Sequence, residues 1–567
     1  MINNKVLLAT AITAVLAGCS GLGKMQKCID EVKKEATPNP LEVKGEKVAV
    51  NIYTQFPTRY FDRRSRLEFT PTLVYKNGET AYKPYGLQGE KFPGNDKMIA
   101  YKNGGEHTYT GEVTYNPAME VSELQLNITG YRGKRTKKFT PIKLADGVIT
   151  TPFLLQIDDR PILGADQYKR VTQHTQRVVI NYLVNSSDVL AKEKADADVK
   201  EAQAFLKMAS KDKAYSIDNV TIEAFASPEG ELRRNENLAK DRAASAKVVI
   251  ADLFAGAKMK QSVLTTTPKG EDWEGFKELM EKSKIADKEL ILRLLNMYTD
   301  PQKREEEIRN LSATFTEVSE QILPKLRRAA IDINYHIQGR TDEEILSLAK
   351  SNPSKLTAEE LLYAATLTQN TDEKMTFYTS AEKQFPNDYR GSNNIGYLLY
   401  QKGDIAGAKA KFEKANKIEE NLATGNNLGI LARRDGNRAV AMKMFNNASS
   451  LGNDAKYNAG LVNIQNGDYN AAILNMKDYN TYNTALVYTL TQQYDKAEKA
   501  LKASPDRETA QGYYLGAIIG ARSNRTEVVV ENLTLAVKAD ASLKDKASRD
   551  PEFIRYRDNA AFKALIK

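Results

Sequence analysis

The sequence predicts a multi-domain α+β protein with an N-terminal β-sandwich, a middle domain of alternating strands and helices, and a C-terminal all-α repeat array. Three observations predict this order. Short β-branched and aromatic runs divided by turn residues fill 41–155, strand and helix patterns alternate over 170–340, and small residues recur at a fixed period after residue 390. A chain of 567 residues, 41% of them hydrophobic, is long enough to bury about three or four separate cores.

Residues 1–18 are typical of an export signal. Lys5 precedes an apolar run from Val6 to Ala17, which is too short to span a bilayer. The run leads into Leu16-Ala17-Gly18-Cys19, which resembles the lipobox of bacterial lipoproteins. This resemblance implies that Cys19 becomes the mature N-terminus and carries diacylglycerol and an amide-linked acyl chain such as palmitate, which anchor the protein to a membrane. The alternative is a secreted protein with a cysteine near its cleavage site.

Charge and the remaining reactive residues narrow the function. Lys and Arg number 82 against 73 Asp and Glu, and the net charge of +9 is spread along the chain. This balance favours anionic partners such as cell wall or lipid headgroups, and no nucleic-acid motif occurs. The three histidines lie in separate segments, and no metal, phosphate-loop or nucleophile motif is found. We therefore expect a non-enzymatic protein without cofactor, metal or nucleic-acid partner. Cys28 could be a free thiol or a site of intermolecular pairing, and we expect the free thiol.

Residues 19–40 are predicted to form a lipidated tether, a polar spacer that lifts the protein off the membrane. The following 41–155 are predicted to form an antiparallel sandwich of immunoglobulin-like size. An aromatic group in this domain, Tyr53, Phe56, Tyr60 and Phe61, forms either an exposed docking patch or part of the core. The predicted strands are Val48–Phe56, Leu67–Tyr75, Tyr109–Tyr115, Leu124–Tyr131 and Phe139–Leu144.

The middle domain begins with strand, helix and strand patterns that lead into a turn and a long helix. These elements are Arg177–Val184, Val199–Met208, Val220–Ala226, the turn Ser227–Gly230 and the helix Asn235–Leu253. On a helical wheel Arg242 falls inside the apolar stripe of the long helix, and Asn235 shares that face. Arg242 is therefore either part of an anion site with the turn or an internal hydrogen-bond anchor.

The turn and the helix that follows it resemble the peptidoglycan-binding domain of OmpA-like proteins, in particular those of Bacteroidales envelopes. Gly230, Asn235, Leu238, Arg242 and Ala243 match that family's pattern. The resemblance implies an α/β sandwich over 170–340, in which Arg242 binds a carboxylate of the diaminopimelate side chain of peptidoglycan. Ser227 stands where the family has an aspartate, and Glu229 is the candidate for the missing negative charge. A helical insertion from Trp273 to Lys325 precedes a last strand, Arg328–Ile337.

The last domain, predicted over 345–567, is a helical array. Asn394, Gly396 and Phe412 recur as Asn427, Gly429 and Phe445 with an offset of 33 residues, which is the spacing of tetratricopeptide repeats. Further copies place Gly460, Ala472 and Met476, and then Ala485, Ala497 and Leu501. Such arrays present a concave groove, and the resemblance makes Asn394 and Asn427, with the preceding Asn393 and Asn426, candidates for binding a partner backbone. The alternative is a role in helix packing.

Together these expectations describe an outer-membrane lipoprotein that links an envelope protein assembly to peptidoglycan and holds envelope partners in its repeat groove. The residues after Cys19 contain no acidic run, which favours the periplasmic face. The alternative is a surface-exposed adhesion, fimbrial or nutrient-capture subunit whose OmpA-like fold no longer binds peptidoglycan.

Overall fold

The computed structural model describes residues 21–260 and 263–567, so Cys19 and the export signal lie outside the described residues. The chain forms two compact units. One consists of the chain up to Gly164 together with Phe385–Lys567, and the other is Ala165–Gln384. Across the described residues, no helix combines the length and apolar character needed to cross a membrane.

The N-terminal domain is a two-sheet sandwich. Its elements are α1 (Leu22–Lys27), β1 (Lys33–Thr37), β2 (Val43–Lys44), β3 (Lys47–Phe56), β4 (Arg66–Tyr75), β5 (Gly78–Ala81), β6 (Tyr85–Gly89), β7 (Lys97–Ile99), β8 (Gly105–Thr114), β9 (Ser122–Arg132), β10 (Arg135–Lys138) and β11 (Ile142–Gly147). One sheet has the order β1-β3-β2 with β8 on β3, and the other has the order β10-β9-β4-β6-β7 with β11 on β9 and β5 on β4. Alternate residues of β3 and β9 point into one core shared by both sheets. The two sheets contain four and seven strands. Together these are more than the seven to nine strands of an immunoglobulin-like domain, so the sandwich is larger than predicted.

The described part of the predicted spacer belongs to this sandwich. Leu22, Met25 and Val32 are buried in its core, and β1 pairs with β3. The hydroxyl of Tyr60 donates to the backbone oxygen of Met25 at 2.9 Å. The prediction of a free spacer is wrong because its few apolar residues pack into the core of the sandwich. Phe56, Tyr60 and Phe61 are also buried, so these three aromatic residues form core rather than a docking patch.

The elements of the second unit are, in chain order, β12 (Val171–Asn181), α2 (Ala191–Lys194), α3 (Ala197–Ala209), β13 (Tyr215–Ala226), α4 (Leu232–Gly256), β14 (Val263–Glu271), five helices that form the insertion, and β15 (Arg328–Gln338). The four strands form one sheet of order β12-β15-β13-β14. Two helices pack their apolar stripes on one face of this sheet and form a single core with it. The β13–β14 pair is parallel because α4 provides the crossover between them, and the other pairs are antiparallel.

The insertion has its own hydrophobic core, centred on residues such as Phe276, Ile291 and Val318. Its helices are α5 (Trp273–Lys282), α6 (Lys288–Met297), α7 (Pro301–Asn310), α8 (Ser312–Gln321) and α9 (Leu323–Leu326). Three more helices follow the sheet, α10 (Asp342–Ser351), α11 (Ala358–Ala364) and α12 (Thr371–Gln384). The compact unit ends at Gln384, so these helices group with the sheet rather than with the repeats.

The C-terminal part is a solenoid of antiparallel helix pairs, as the repeat spacing predicts. Its helices are α13 (Tyr389–Gln401), α14 (Ile405–Ile418), α15 (Leu422–Arg434), α16 (Arg438–Ala448), α17 (Asn453–Asn466), α18 (Tyr469–Met476), α19 (Tyr482–Leu490), α20 (Tyr494–Ala503), α21 (Ala510–Arg522), α22 (Thr526–Ala539), α23 (Leu543–Arg549) and α24 (Ala560–Ile566). A side chain at Gly429 would collide with Phe445, since the Cβ would lie 2.8 Å from the ring. The small residue of each first helix thus admits the large residue of the second.

Candidate functional site

The main polar site of the first unit lies along the repeats, where one asparagine from each of four successive first helices binds a segment of the same chain. We name residues 156–164, between the sandwich and β12, the clasped segment. Each asparagine makes two hydrogen bonds with one residue, accepting from its backbone N–H at Oδ1 and donating from Nδ2 to its carbonyl oxygen. The pairs are Asn483 with Gln156 (2.9 and 3.0 Å), Asn458 with Arg160 (2.8 and 2.8 Å), Asn427 with Ile162 (2.7 and 2.8 Å) and Asn394 with Gly164 (2.7 and 2.9 Å).

The register of these contacts indicates an extended chain. Residues 160, 162 and 164 are held at every second position, and such residues face the same side of an extended backbone. The segment runs opposite to the order of the repeats, from Asn483 towards Asn394. A second row, Asn393 and Asn426, donates to the carbonyl oxygens of Ile162 and Arg160, each at 3.1 Å. All six asparagines are buried, so these amides satisfy backbone groups that water no longer reaches.

A buried ion pair fixes the middle of the clasped segment. Arg433 donates to both carboxylate oxygens of Asp159, from Nε at 2.8 Å and Nη2 at 2.7 Å. The two side chains are 3% and 0% exposed. The hydroxyl of Tyr400 donates to the same carboxylate at 2.9 Å. This bidentate geometry selects a carboxylate at position 159.

The neighbouring side chains are held as well. The guanidinium of Arg160 lies 4.7 Å from the ring centre of Tyr457 and 4.2 Å from that of Tyr479, which is a cation–π arrangement. Asp158 accepts hydrogen bonds from Tyr457 and from Asn483. Burial raises the pKa of the Asp158 carboxyl, and these hydrogen bonds oppose that shift. We call this set of contacts the clasp. It binds the side chains of Asp158, Asp159 and Arg160 as well as the backbone of the clasped segment.

Asn394 and Asn427 were expected to bind the backbone of a separate partner, but the backbone that they bind belongs to this chain. Asn458 and Asn483 were not predicted as binding residues, although the sequence contains a signal for them. Each of the four asparagines precedes by two residues the small residue that marks its repeat, in pairs 394/396, 427/429, 458/460 and 483/485. Nothing local marked residues 156–164 as the ligand.

A second set of contacts joins the sandwich to the last repeats. Arg522 of α21 donates to Glu42 of the sandwich and to Glu552 of the C-terminal segment, each at 2.6 Å. Burial alone would lower the pKa of Arg522, but the two carboxylates raise it above its usual range. Thr151, just before the clasped segment, also donates to Glu552. The sandwich is therefore held to the solenoid at both the clasp and its C-terminal end.

In the second unit the structure brings four of the predicted peptidoglycan residues into one cluster, which the chain itself fills. Ser227 and Arg327 both donate to Glu229, at 2.6 and 2.7 Å. The backbone N–H of Gly230 donates to Glu305 of α7 at 2.6 Å. Asn235 donates to the carbonyl of Glu229 at 3.0 Å and to Glu271 at 2.9 Å. The negative charge of Glu229 and the donor of Gly230 are thus already paired within the unit.

Arg242 lies on the buried face of α4, where it is 1% exposed. Its guanidinium donates to three backbone carbonyl oxygens, those of Ser186 (3.0 Å), Phe225 (2.8 Å) and Leu183 (3.1 Å). The group also lies 5.1 Å from the ring centre of Tyr182. Burial lowers the pKa of Arg242 to about 10. These contacts are those of an internal anchor, one of the two alternatives that the helical wheel left open.

The state of Cys28 differs from the expectation. Cys28 is disulfide-bonded, so the prediction of a free thiol is wrong; the chain's only other cysteine, Cys19, lies outside the described residues. Within 21–260 and 263–567, no group of three or more His, Cys, Asp or Glu side chains could hold a metal ion.

Comparisons with known proteins show likeness only among solved structures. No family model matches the sequence, and no curated protein matches it. PilW, described as a widely conserved type IV pilus biogenesis factor, is 15% identical over 40% of this chain and 98% of its own, with a TM-score of 0.27. The pilF protein of Pseudomonas aeruginosa is 12% identical over 40% and 96%, with a TM-score of 0.26. A tetratricopeptide repeat protein from Parabacteroides merdae is 16% identical over 46% and 96%, also with a TM-score of 0.26. At these TM-scores the likenesses bear on neither function nor partners, and the repeat fold rests on the helix pairs themselves.

Proposed function

We propose that this protein is a non-enzymatic, lipid-anchored scaffold of the bacterial outer membrane, in which the repeat solenoid clasps the chain's own linker and makes sandwich and solenoid one rigid body. The clasp supports the scaffold part of this proposal, and the lipobox that ends at Cys19 supports the anchor. Ten hydrogen bonds between asparagine amides and the backbone hold residues 156–164. A buried ion pair holds the side chain of Asp159, so these contacts serve to fix the segment.

The self-occupied groove bears on where protein partners dock. A separate peptide would have to displace a segment that is attached at both ends, and attachment gives such a segment an effective concentration on the order of millimolar. We therefore place the docking of envelope proteins on other surfaces of the solenoid, and assign the groove to the chain's own architecture.

The proposed lipid anchor can be tested by replacing the cysteine that carries the acyl chains. Cells fed with labelled palmitate should label the native protein and the Cys28→Ser variant but not the Cys19→Ser variant, because only Cys19 ends the lipobox. Acylation of Cys19 and a disulfide within the chain exclude each other, because the sequence contains only these two cysteines. Equal labelling of all three proteins would refute anchoring at Cys19. Protease added to intact cells should leave the solenoid uncut if it faces the periplasm, whereas its rapid loss would support the surface-exposed alternative.

The link to peptidoglycan, implied by the OmpA-like resemblance, stays a prediction that the contacts argue against. A ligand carboxylate would have to replace the carbonyl partners of Arg242, and a ligand ammonium would compete with Arg327 for Glu229. The Gly230 N–H that an anion would use is covered by Glu305. The closed cluster fits the alternative in which the OmpA-like fold serves as architecture.

Co-sedimentation with diaminopimelate-type peptidoglycan separates these alternatives. We expect the full-length mature chain, made soluble by Cys19→Ser, to stay in the supernatant. If this protein pelleted with peptidoglycan and a folded Arg242→Ala variant did not, the result would support the link to peptidoglycan. Glu305→Ala and the exposed neighbour Glu306→Ala form a matched pair. Pelleting of the first alone would show that the Glu305 carboxylate closes the site.

A further inference from the structure

The first described residues of the chain line a pocket that is strongly basic. It is open to solvent, has a volume of about 940 Å³, and lies between α1 and the hairpin of β9 and β10. The side chain of Gln26 in α1 donates to Thr140 just beyond that hairpin at 3.3 Å, which ties the two together. Five of the lining residues are cationic and none is acidic: Lys24, Lys27, Arg132, Arg135 and Lys137.

Most of this charge has no counterpart among the described residues. Arg132 pairs with Asp62 at 3.2 Å. Over residues 21–260 and 263–567, no carboxylate lies within ion-pair distance of the other four cations. Lys134 and Lys138 of the same hairpin are also exposed, which extends the positive surface. Like charges gathered in one place repel each other unless anions neutralise them, so the pocket is suited to a multivalent anionic surface.

The position of the pocket indicates which surface this is, given the proposed acylation of Cys19. Leu22 and Met25 are buried in the sandwich core, so the chain is fixed to the sandwich three residues after Cys19. Three residues reach at most about 10 Å. The face that carries the pocket must then lie against the membrane that holds the acyl chains, with no spacer between them.

We propose that this basic pocket binds the phosphate headgroups of anionic phospholipids and seats the sandwich flat on the bilayer. The acyl chains supply the anchor and the pocket supplies orientation. The occupant is a lipid surface because the pocket adjoins the acylation site. Each cation near an anionic bilayer multiplies the partition coefficient by about five, because the contributions to the binding free energy add.

The test uses the full-length mature chain with Cys19→Ser, which removes the acyl anchor and measures the pocket alone. Vesicles contain either phosphatidylcholine alone or phosphatidylcholine with phosphatidylglycerol, and the partition coefficient is obtained by flotation. A pocket variant replaces Lys24, Lys27, Arg135 and Lys137 with Gln. A control variant with the same loss of charge replaces Lys76, Lys83, Lys91 and Lys102 with Gln, exposed sandwich lysines outside the pocket.

We expect binding to the phosphatidylglycerol vesicles only, with a partition coefficient that falls by at least about tenfold in the pocket variant and less than threefold in the control. The binding should also weaken as salt screens the charges. Equal losses in the two variants, or no binding by the parent, would overturn the proposal, as would transfer of the charge-dependent binding to peptidoglycan or to lipopolysaccharide. Palmitate labelling reports on Cys19 separately, so the acylation can fail while the pocket stands, and the reverse.

Discussion

Replacing Asp159 with alanine is expected to lower the free energy of unfolding of the unit formed by sandwich and solenoid by about 3–5 kcal/mol, because Arg433 would remain buried without its counter-charge. Asp159 and Arg433 are both almost fully buried, and they form two hydrogen bonds. The same change should release the clasped segment. Urea unfolding followed by far-ultraviolet circular dichroism measures the first effect, and the rate of chymotryptic cleavage after Leu163, inside the clasped segment, measures the second.

The control for this experiment is Asp435→Ala. Asp435 directly follows α15, which has Arg433 in its last turn. The side chain of Asp435 is 67% exposed and lies 3.7 Å from an exposed lysine. Its removal should change the stability by less than about 0.5 kcal/mol and leave the Leu163–Gly164 bond protected from chymotrypsin. The double variant Asp159→Leu/Arg433→Met should recover part of the loss, since it removes both charges together. Unchanged stability and unchanged cleavage in Asp159→Ala would contradict the clasp.

Replacing Arg242 with alanine is expected to destabilise the second unit by about 3–5 kcal/mol, because three buried carbonyl oxygens lose their donors and a cavity is left in the core. Arg242→Lys should recover little of this, since an ammonium cannot reach the three separated carbonyls of Leu183, Ser186 and Phe225 as the planar guanidinium does. Fluorescence of Trp273 reports unfolding of this unit, since it is the only tryptophan in the chain.

Arg234→Ala is the matched control for Arg242, because Arg234 is exposed on the same helix. We expect its effect to stay below about 0.5 kcal/mol. An Arg242→Ala protein that unfolds like the parent would mean that the guanidinium is available to a ligand, and the OmpA-like interpretation of this residue would regain support.

Elements with a strong local period were predictable from sequence. Residues predicted as Val220–Ala226 and Arg328–Ile337 lie within β13 and β15, and the predicted helix Asn235–Leu253 lies within α4. The strand β14, Val263–Glu271, was missed. It is rich in Thr and contains Pro268 and Gly270, so it shows no alternation of apolar and polar residues, and pairing with β13 rather than its own pattern makes it a strand.

The polar residues show why site prediction succeeded only in part. Helical geometry placed Arg242 in an apolar stripe, which required a partner but did not name it. The carbonyls that it binds come from segments before β13 and at its end, and their convergence depends on the packing of α4 on the sheet. Glu305 reaches Gly230 across a sequence separation of 75 residues, so neither local pattern contained the pairing.

The sequence by itself determined the repeat period, the order of strands and helices, and the residue types of the groove, because these depend on the spacing of neighbouring side chains. Only the tertiary structure decided what fills the groove and what closes the cluster around Glu229. The hydrogen bonds of the clasp join residues separated by 230 to 327 positions. Such contacts form only when the sandwich, the linker and the solenoid pack together. The sequence pattern of one segment alone therefore cannot predict them.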